Sequence, residues 1–329
     1  NKIQYDIGTA NPLPVYFLGE KSFGNSPLLE LLFQAINPAI IVTFGDLHMI
    51  RSMLDVKSEW KKIWTHWWTV DDESPDESLI EIAKQIPSLV AVTNFGAKII
   101  EQNLNRKVPV IGHGYQSCLG LGNKKEARNK LQIAQNTVVY GCIARNFWRK
   151  NLHVLINAFA YARDHLINQD FDAKLLIHTD TENPGCEGCD IPGKVNKLRL
   201  NGQVLLSTSA LGLQDMTTVI DTMDYHILPS YGEGFGVPVI ETMARGVPNI
   251  VPQHTTLPEL VQDAGFVVPL EVSGNVHPAT GKEHFGPDCL ALAQYICRTY
   301  ELKKANTSAY STQQQKCLEQ ASTFAPTIM

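Results

Sequence analysis

Short apolar runs alternate with longer amphipathic stretches along this chain, and this alternation constrains its fold more than any other feature. Residues 138–144 form a short apolar run that predicts a buried strand, and residues 151–166 predict the helix that follows it. Leu152, Leu155 and Phe159 recur on one face of that helix at helical spacing. Strands that alternate with helices predict parallel βαβ units, and therefore an α/β fold.

The same alternation predicts the other elements of two doubly wound units in series. Further strands are predicted at residues 38–44, 60–68, 89–93, 108–113, 174–178, 225–229 and 249–251. Further helices are predicted at residues 27–36, 94–104, 238–245, 289–303 and 312–322. The chain turns polar over residues 119–136, which predicts a hinge there. Ligands of such folds bind at the carboxyl ends of the strands, here expected in a cleft between the two halves.

Composition and charge exclude several classes of protein. The 329 residues are 44% hydrophobic and 19% charged, which suits a globular chain with two cores. The net charge of -5 argues against nucleic acid as a partner, and no apolar run approaches the roughly 20 residues of a transmembrane helix. Seven scattered cysteines fit a reducing compartment. We therefore expect a cytoplasmic protein, with peripheral attachment to a membrane left open.

The most informative segment is the glycine-rich stretch of residues 229–248, which follows a predicted strand and opens a predicted helix. Glycines between Gly232 and Gly236 allow the backbone to approach a ligand closely, and Pro238 suits the first turn of a helix. The amide groups at that helix start favour a phosphate or sugar hydroxyls. Glu233 lies in the turn, and Glu241 lies about one turn inside the helix, where it is placed to accept bonds from a ribose diol.

A second segment, residues 141–151, also runs from a strand through a loop into a helix. Arg145 and Lys150 flank this loop and can both face one anion, a task that Arg149 is placed to share. Two fixed cations stabilise the negative charge that develops on a departing nucleoside diphosphate. Taken alone, such a basic loop is more often a solvated surface.

Together the two segments resemble the retaining GT-B glycosyltransferases of family 4. That family carries a basic pair after the first strand of its C-terminal domain and an E-x7-E motif, which Glu233 and Glu241 match here without departure. The resemblance covers roughly residues 108–270. It implies two Rossmann-like domains that face each other across a cleft. These are an acceptor domain at 1–120, a nucleotide-sugar-binding domain at 121–310, and a helix at 311–329 that packs back on the N-terminal domain.

The resemblance also implies roles for individual residues. Arg145 and Lys150 would bind the diphosphate, and Glu241 would hold the ribose. Ser207 lies where the family places the base, a position that rests on topology alone. Glu233 would contact the transferred sugar together with its neighbours in the turn. The implied donor-binding neighbours are Gly234, Phe235, Gly236, Val237 and Arg149.

The N-terminal half is less diagnostic. The glycine-rich loop that the family places after its first strand has only a weak candidate at residues 8–12, so we expect that strand to be missing or atypical. Asp46, His66 and Asp71 are expected to follow strand ends and to recognise the acceptor, although a cap or a loop polar group is an equally simple reading of each.

Two short motifs raise the question of a metal. Cys186 and Cys189 have knuckle spacing but lack a second pair, and the D-x-D triplet at residues 170–172 precedes a predicted strand, at the wrong edge of the sheet. We therefore predict no metal and no cofactor.

The predicted function is transfer of a hexose from a nucleotide-diphosphate sugar to an acceptor hydroxyl, with retention of anomeric configuration. GDP-mannose and UDP-hexoses are the preferred donors, and the acceptor is a glycan, a lipid or a small molecule. Two alternatives keep the fold: a non-catalytic nucleotide-sugar-binding protein, and a GT-B phosphorylase or epimerase. An NAD-dependent oxidoreductase is disfavoured, because the glycines of residues 232–236 have the wrong spacing for G-x-G-x-x-G.

Overall fold

The structure is a computed structural model that describes residues 2–5, 13–16, 26–115, 119–166, 170–180, 188–276, 283–305 and 307–325. Residues 8–12 and Cys186 lie outside this set. The chain divides into two compact units, unit 1 over Asn1–Ile111 and unit 2 over Gly112–Met329. The division falls a few residues before the predicted boundary at residue 120.

Unit 1 contains a three-stranded parallel sheet, whose strands pair in chain order, and a two-stranded antiparallel hairpin that precedes it in the chain. Its strands are β1 (Lys2–Tyr5), β2 (Leu13–Tyr16), β3 (Ile41–Gly45), β4 (Trp64–Trp68) and β5 (Ser88–Ala91). Its helices are α1 (Ser26–Ile36), α2 (Ser58–Lys61), α3 (Glu77–Lys84) and α4 (Asn94–Leu104). The predicted strand at 108–113 is reduced to a single bridge between Val110 and Ala91.

Local signals explain how two of these elements form. Thr93 caps α4 by accepting a hydrogen bond from the Gly96 amide, and the helix ends at Asn105 in the left-handed conformation. Side chains of β4 alternate between buried and half-buried positions. The predicted buried strand at 38–44 is wrong in one respect, because Val42 and Phe44 of β3 are 59% and 52% exposed.

Unit 2 is built around a six-stranded parallel sheet. Its strands are β6 (Val138–Ile143), β7 (Ala173–His178), β8 (Val204–Ser207), β9 (Tyr225–Ile227), β10 (Asn249–Pro252) and β11 (Phe266–Val268), followed by a hairpin of β12 (Leu270–Val276) and β13 (Glu283–Pro287). Its helices are α5 (Lys124–Lys130), α6 (Leu152–His165), α7 (Ile191–Lys197), α8 (Leu213–Thr222), α9 (Val237–Ala244), α10 (Leu257–Val261), α11 (Cys289–Ala305) and α12 (Thr307–Ser322).

The strand order in this sheet is β11-β10-β9-β6-β7-β8, so the chain starts at the centre and is wound outward in both directions. This is the doubly wound order of Rossmann-like domains, and it confirms the predicted α/β class. The order reverses between β6 and β9. In such sheets the crevice outside the carboxyl ends of those two strands is where ligands bind.

The central strand and its first helix form much of the core of unit 2. All six residues of β6 are buried, as expected for a strand covered on both faces. The predicted apolar face of α6 is confirmed, with Leu155, Ile156 and Phe159 fully buried. At the end of the chain α12 packs against α9 and α11 of the same unit. Packing of this helix on the N-terminal domain stays a prediction.

Candidate functional site

The loop after β6 carries the first set of candidate residues. Trp148–Lys150 forms a short 3-10 helix between β6 and α6. Asn151 closes this turn with a φ of 56°, in the left-handed region that asparagine tolerates better than most residues. The turn places Arg149 and Lys150 beside each other on the crevice at the carboxyl edge of the sheet.

The turn after β9 carries the second set. Gly236 caps α9 with a φ of 95°, and an added Cβ there would come within 3.0 Å of the Leu257 side chain. The backbone angle therefore favours glycine, and a larger residue would also have to displace the end of the Leu257 side chain. Pro238 occupies the first turn of α9, as predicted. Glu233 lies in the turn between the strand and the helix, with only 5% of its surface exposed.

The structure joins the two segments through the carboxylate of Glu233. Lys150 Nζ lies 2.5 Å from Oε1 and Arg149 Nη1 lies 3.4 Å from Oε2, while Ser230 Oγ donates a hydrogen bond of 2.6 Å to Oε1. Burial raises the pKa of Glu233, but the charges of Lys150 and Arg149 outweigh it and the net shift is downward. The ionised carboxylate and two cations leave one net positive charge beside the crevice.

Arg145 pairs with a different carboxylate. Its Nε lies 3.0 Å from Asp180 Oδ2, and the Asn146 amide donates to Oδ1 of the same side chain. Burial acts to raise the pKa of Asp180, but the hydrogen bonds from the Asn146 amide and Arg145 lower it overall. Asp180 is the second residue after β7, a position at the carboxyl edge of the sheet that sequence reasoning passed over.

A cavity of about 650 Å³ lies at this edge, within the usual size of small-molecule sites. Arg145, Arg149 and Lys150 line it together with Pro238 from the first turn of α9. The two segments predicted to act together therefore do meet at one cavity. Arg145 and Lys150 face the same space, although each is paired with its own carboxylate.

Ser207 lies at the end of β8, where its Oγ is hydrogen bonded to His178 Nδ1 at 2.9 Å. His178 lines the cavity, as do Thr208 and Ser209, the two residues that follow Ser207. The donor contact of Ser207 stays a prediction, and the two residues after it are the ones that the cavity lining includes.

The side chain of His226 connects β9 to β6 at the point where the two strands stop pairing. β6 and β9 pair only at two positions, and beyond them the Ile143 amide donates to His226 Nε2 at 3.2 Å. His226 Nδ1 in turn bonds to Asn249 Oδ1 at 2.6 Å, which fixes Nδ1 as the protonated nitrogen. Burial lowers the pKa of His226 to about 4, so the ring is neutral at neutral pH, as its two hydrogen bonds require.

The other residues of the turn and of α9 are distributed as follows. Phe235 is buried and meets His113 edge to face at 4.9 Å between ring centroids, so its side chain packs inside unit 2. Val237 is 38% exposed at the start of α9. Glu241 is half-buried on the second turn of the helix, and burial raises its pKa.

Thr255 is a site residue that the sequence did not suggest. It has a φ of 49°, which is unusual for a β-branched residue, and its Oγ1 accepts a hydrogen bond of 3.1 Å from the Glu233 amide. Such strained positions cluster at functional sites. Thr255 follows β10 and thereby ties the glycine-rich turn to the neighbouring strand.

The three acceptor candidates of unit 1 differ in their surroundings. Asp46 precedes a 3-10 helix and accepts a hydrogen bond of 3.0 Å from Thr69 Oγ1 at the carboxyl edge of the sheet. Asp71 follows β4 and is half-buried. The placement of His66 after a strand end is wrong. It lies inside β4, fully buried, with Nδ1 hydrogen bonded to Thr43 Oγ1 at 2.8 Å.

Further observations concern the predictions about a metal site and a membrane-spanning helix. Within the described ranges, no group of three or more His, Cys, Asp or Glu side chains is arranged to hold a metal ion. Asp170 and Asp172 precede β7, at the opposite edge of the sheet from the cavity, as predicted. None of the helices in the part of the chain that the structure covers has the length and apolar character to cross a bilayer. Metal independence stays a prediction.

Comparisons with known proteins agree with this geometry. Residues 137–276 match the family model described as glycosyl transferases group 1. An O-antigen chain mannosyltransferase B from Escherichia coli is 51% identical over 41 residues, or 12% of this chain and 11% of that protein. The N-acetyl-alpha-D-glucosaminyl L-malate synthase of Bacillus anthracis is 35% identical over 121 residues, or 36% of this chain and 28% of that protein. The chain thus spans less than a third of the length of either relative.

Among solved structures, a sucrose-phosphate synthase from Thermosynechococcus elongatus superimposes with a TM-score of 0.72. The match covers 91% of this chain and 72% of that one, at 18% sequence identity. Identity this low shows the fold alone. Together with the strand order of unit 2, it confirms the predicted GT-B fold.

Proposed function

We propose that this chain, a member of the glycosyl transferases group 1 family, transfers a hexose from a nucleotide-diphosphate sugar to an acceptor hydroxyl with retention of anomeric configuration. GDP-mannose and UDP-hexoses are the proposed donors, and the mannosyl and glucosaminyl activities in the relatives' names support this choice. The observation that carries the proposal is the contact of Lys150 and Arg149 with Glu233 beside the first turn of α9.

The diphosphate would occupy the cavity at the carboxyl edge of unit 2. Arg145 and Lys150 line that cavity, and each can exchange its present carboxylate partner for a phosphate oxygen. The backbone amides that open α9 add a positive dipole end. Arg149 already donates to the Gly232 carbonyl, so it would order the turn as well as add charge.

The sugar and the ribose would be held by the two glutamates. Glu233 is ionised and fixed by Ser230 and two cations, which suits an acceptor of hydrogen bonds from sugar hydroxyls. Gly234 and Gly236 would let the backbone of the turn approach the same sugar. Glu241, about one turn inside α9, would bond to the ribose diol, a contact that favours its ionised form despite burial.

The reaction breaks the bond between the anomeric carbon and the phosphate oxygen. A new bond forms between that carbon and the acceptor oxygen, and the acceptor's proton leaves with the departing diphosphate. Arg145 and Lys150 would stabilise the negative charge on the leaving group, so the chain supplies electrostatic catalysis without a metal. The acceptor is a glycan, a lipid or a small molecule, and Asp46 and Asp71 are the proposed residues that recognise it.

The test is a thermal-shift screen of nucleotide sugars followed by a transfer assay with the donor that stabilises the chain most. We expect Arg145→Gln to reduce both donor stabilisation and turnover, while Lys197→Gln, an exposed charge on α7, leaves both unchanged. The anomeric configuration of the product, read by NMR, tests retention. Turnover that chelation of divalent ions abolishes would contradict the metal-independent mechanism.

Three outcomes would overturn the proposal. If no nucleotide sugar stabilises the chain, the cavity is not a donor site. Donor binding without turnover on any acceptor would favour the non-catalytic binding protein. Release of a sugar phosphate, or isomerisation of the donor, would favour the phosphorylase or the epimerase.

A further inference from the structure

A second cavity, of about 350 Å³, lies at the opposite, amino-terminal edge of the same sheet. Lys124 from the start of α5 and Lys303 from the end of α11 line it. Asp224, which directly precedes β9, bonds to both lysines. This edge is remote in the fold from the carboxyl edge that carries Glu233, so the second cavity is a separate place on unit 2.

The cations around this cavity outnumber the carboxylates. The fully buried Asp224 is contacted by Lys124 at 2.6 Å, by Arg128 at 2.6 Å and by Lys303 at 3.3 Å. Arg245, which also lines the cavity, is balanced by a two-point contact with Asp221. One carboxylate therefore faces three cations, which leaves a surplus of two positive charges.

The surplus is presented to the cavity by the two lysines. Arg128 is 2% exposed and is directed inward, where it also donates to the Thr222 carbonyl at the end of α8. Lys124 and Lys303 keep 27% and 26% of their side-chain surface exposed. Burial lowers the pKa of Lys124 to about 8, even with the opposing effect of Asp224. A further negative charge nearby would relieve this penalty.

The size and surroundings of the cavity restrict the ligand. Its volume is near the lower end for ligand pockets, which excludes a whole nucleotide sugar or a polymer. Tyr310, whose ring lies 3.5 Å below Lys303 Nζ, forms one wall, and Gln314 forms another. A phosphate group carries close to two negative charges at neutral pH and several acceptor oxygens, which matches the surplus.

We propose that this cavity binds a phosphate group, either as inorganic phosphate or as the phosphate of a small monoester, between Lys124 and Lys303. The site is distinct from the proposed donor site and does not depend on the proposed transfer reaction.

The experiment is calorimetric titration of the full chain with inorganic phosphate and, separately, with glycerol 3-phosphate, at constant ionic strength set by chloride. Tighter binding of the ester would identify a metabolite monoester as the ligand, and equal or weaker binding would identify phosphate itself. We expect Lys303→Gln to weaken binding at least about tenfold, since it removes one charge-assisted hydrogen bond. Lys303→Arg keeps the charge and should bind within a few-fold of the wild type.

Two control variants separate this site from others. Lys304→Gln removes the neighbouring charge, which contacts Asn136 O and Asp172 outside the cavity, and should leave affinity unchanged. Arg145→Gln removes a cation of the donor cavity and should also leave it unchanged. Absence of binding at millimolar phosphate would overturn the proposal. The proposal would also be overturned if Arg145→Gln abolished phosphate binding and Lys303→Gln preserved it, because the phosphate would then bind in the donor cavity.

Discussion

Two buried carboxylates lie at opposite edges of the sheet in unit 2, and their surroundings differ in an instructive way. Glu233 at the carboxyl edge is held by Lys150 and Arg149, whose side chains are 18% and 30% exposed. Asp224 at the amino edge is held by three cations, and one of them, Arg128, is almost fully buried.

The Asp224 cluster also joins more of the fold. Its carboxylate accepts a hydrogen bond of 2.9 Å from the Val139 amide in β6, and its cations come from α5 and α11. Glu233 instead joins two loops beside a cavity. We infer that the pairing around Asp224 stabilises the fold through the buried Arg128, besides presenting two lysines to the second cavity, whereas the pairing around Glu233 serves ligand binding.

The largest effect on stability is expected from Asp224→Asn. It leaves Arg128 buried without a full counter-charge, so we expect the free energy of unfolding to fall by about 3–5 kcal/mol. Urea unfolding followed by circular dichroism measures this. Asp172→Asn, an acidic site at the same edge that is 44% exposed, should cost at most about 1 kcal/mol. If both variants lose the same free energy of unfolding, the Asp224 cluster stabilises the fold no more than an exposed carboxylate does.

Glu233→Gln should reduce transfer more than it reduces stability. The two cations it leaves can be solvated from the cavity, so we expect a smaller loss of stability than in Asp224→Asn. Transfer, in contrast, should slow by about 100-fold or more, because the variant loses the charge that fixes Lys150 and contacts the sugar. The measurement pairs turnover with urea unfolding on one preparation. If Glu233→Gln loses much of its stability but keeps normal turnover, Glu233 has a structural role and our assignment of ligand binding to its edge is wrong.

The pH dependence of stability extends the comparison. Burial raises the pKa of Asp224, but Lys124, Arg128 and Lys303 lower it well below its usual range overall. A depressed folded-state pKa adds stability above the unfolded value of about 3.9, and that stability is lost as the pH falls towards the folded value. The stability gap between wild type and Asp224→Asn should therefore narrow as the pH falls below about 4. A gap that stays constant in acid would contradict this origin.

The sequence predicted the elements whose signals are local. The buried run of β6, the apolar face of α6 and the glycine turn before α9 each carry a local pattern that predicted the observed element. The predicted meeting of two loops at one edge followed from the parallel order. α5 was missed because it has no apolar stripe. It is held instead by the Asn123 cap, a local signal that was not used, and by Arg128 in the Asp224 cluster, whose partner lies far along the chain.

Two site residues show a second limit. His66 alternates with Trp64 and Trp68 on the inner face of β4, and this period of two was the available signal that it is buried. The left-handed backbone of Thr255 had no such signal, because β-branched residues rarely adopt it. Its side chain bonds to Glu233, which lies 22 residues away, so the surroundings of this residue depend on the tertiary structure.

The smallest effect we predict concerns that contact. Thr255→Ala removes the acceptor of the buried Glu233 amide, which should lower the free energy of unfolding by about 1–2 kcal/mol. Thr255→Ser keeps the hydroxyl and the same backbone angle, so the difference between the two variants isolates the hydrogen bond. Urea unfolding of both variants gives that difference. If alanine and serine are equally stable, the strained turn is fixed by packing, and the link between the two loops at the carboxyl edge does not pass through this bond.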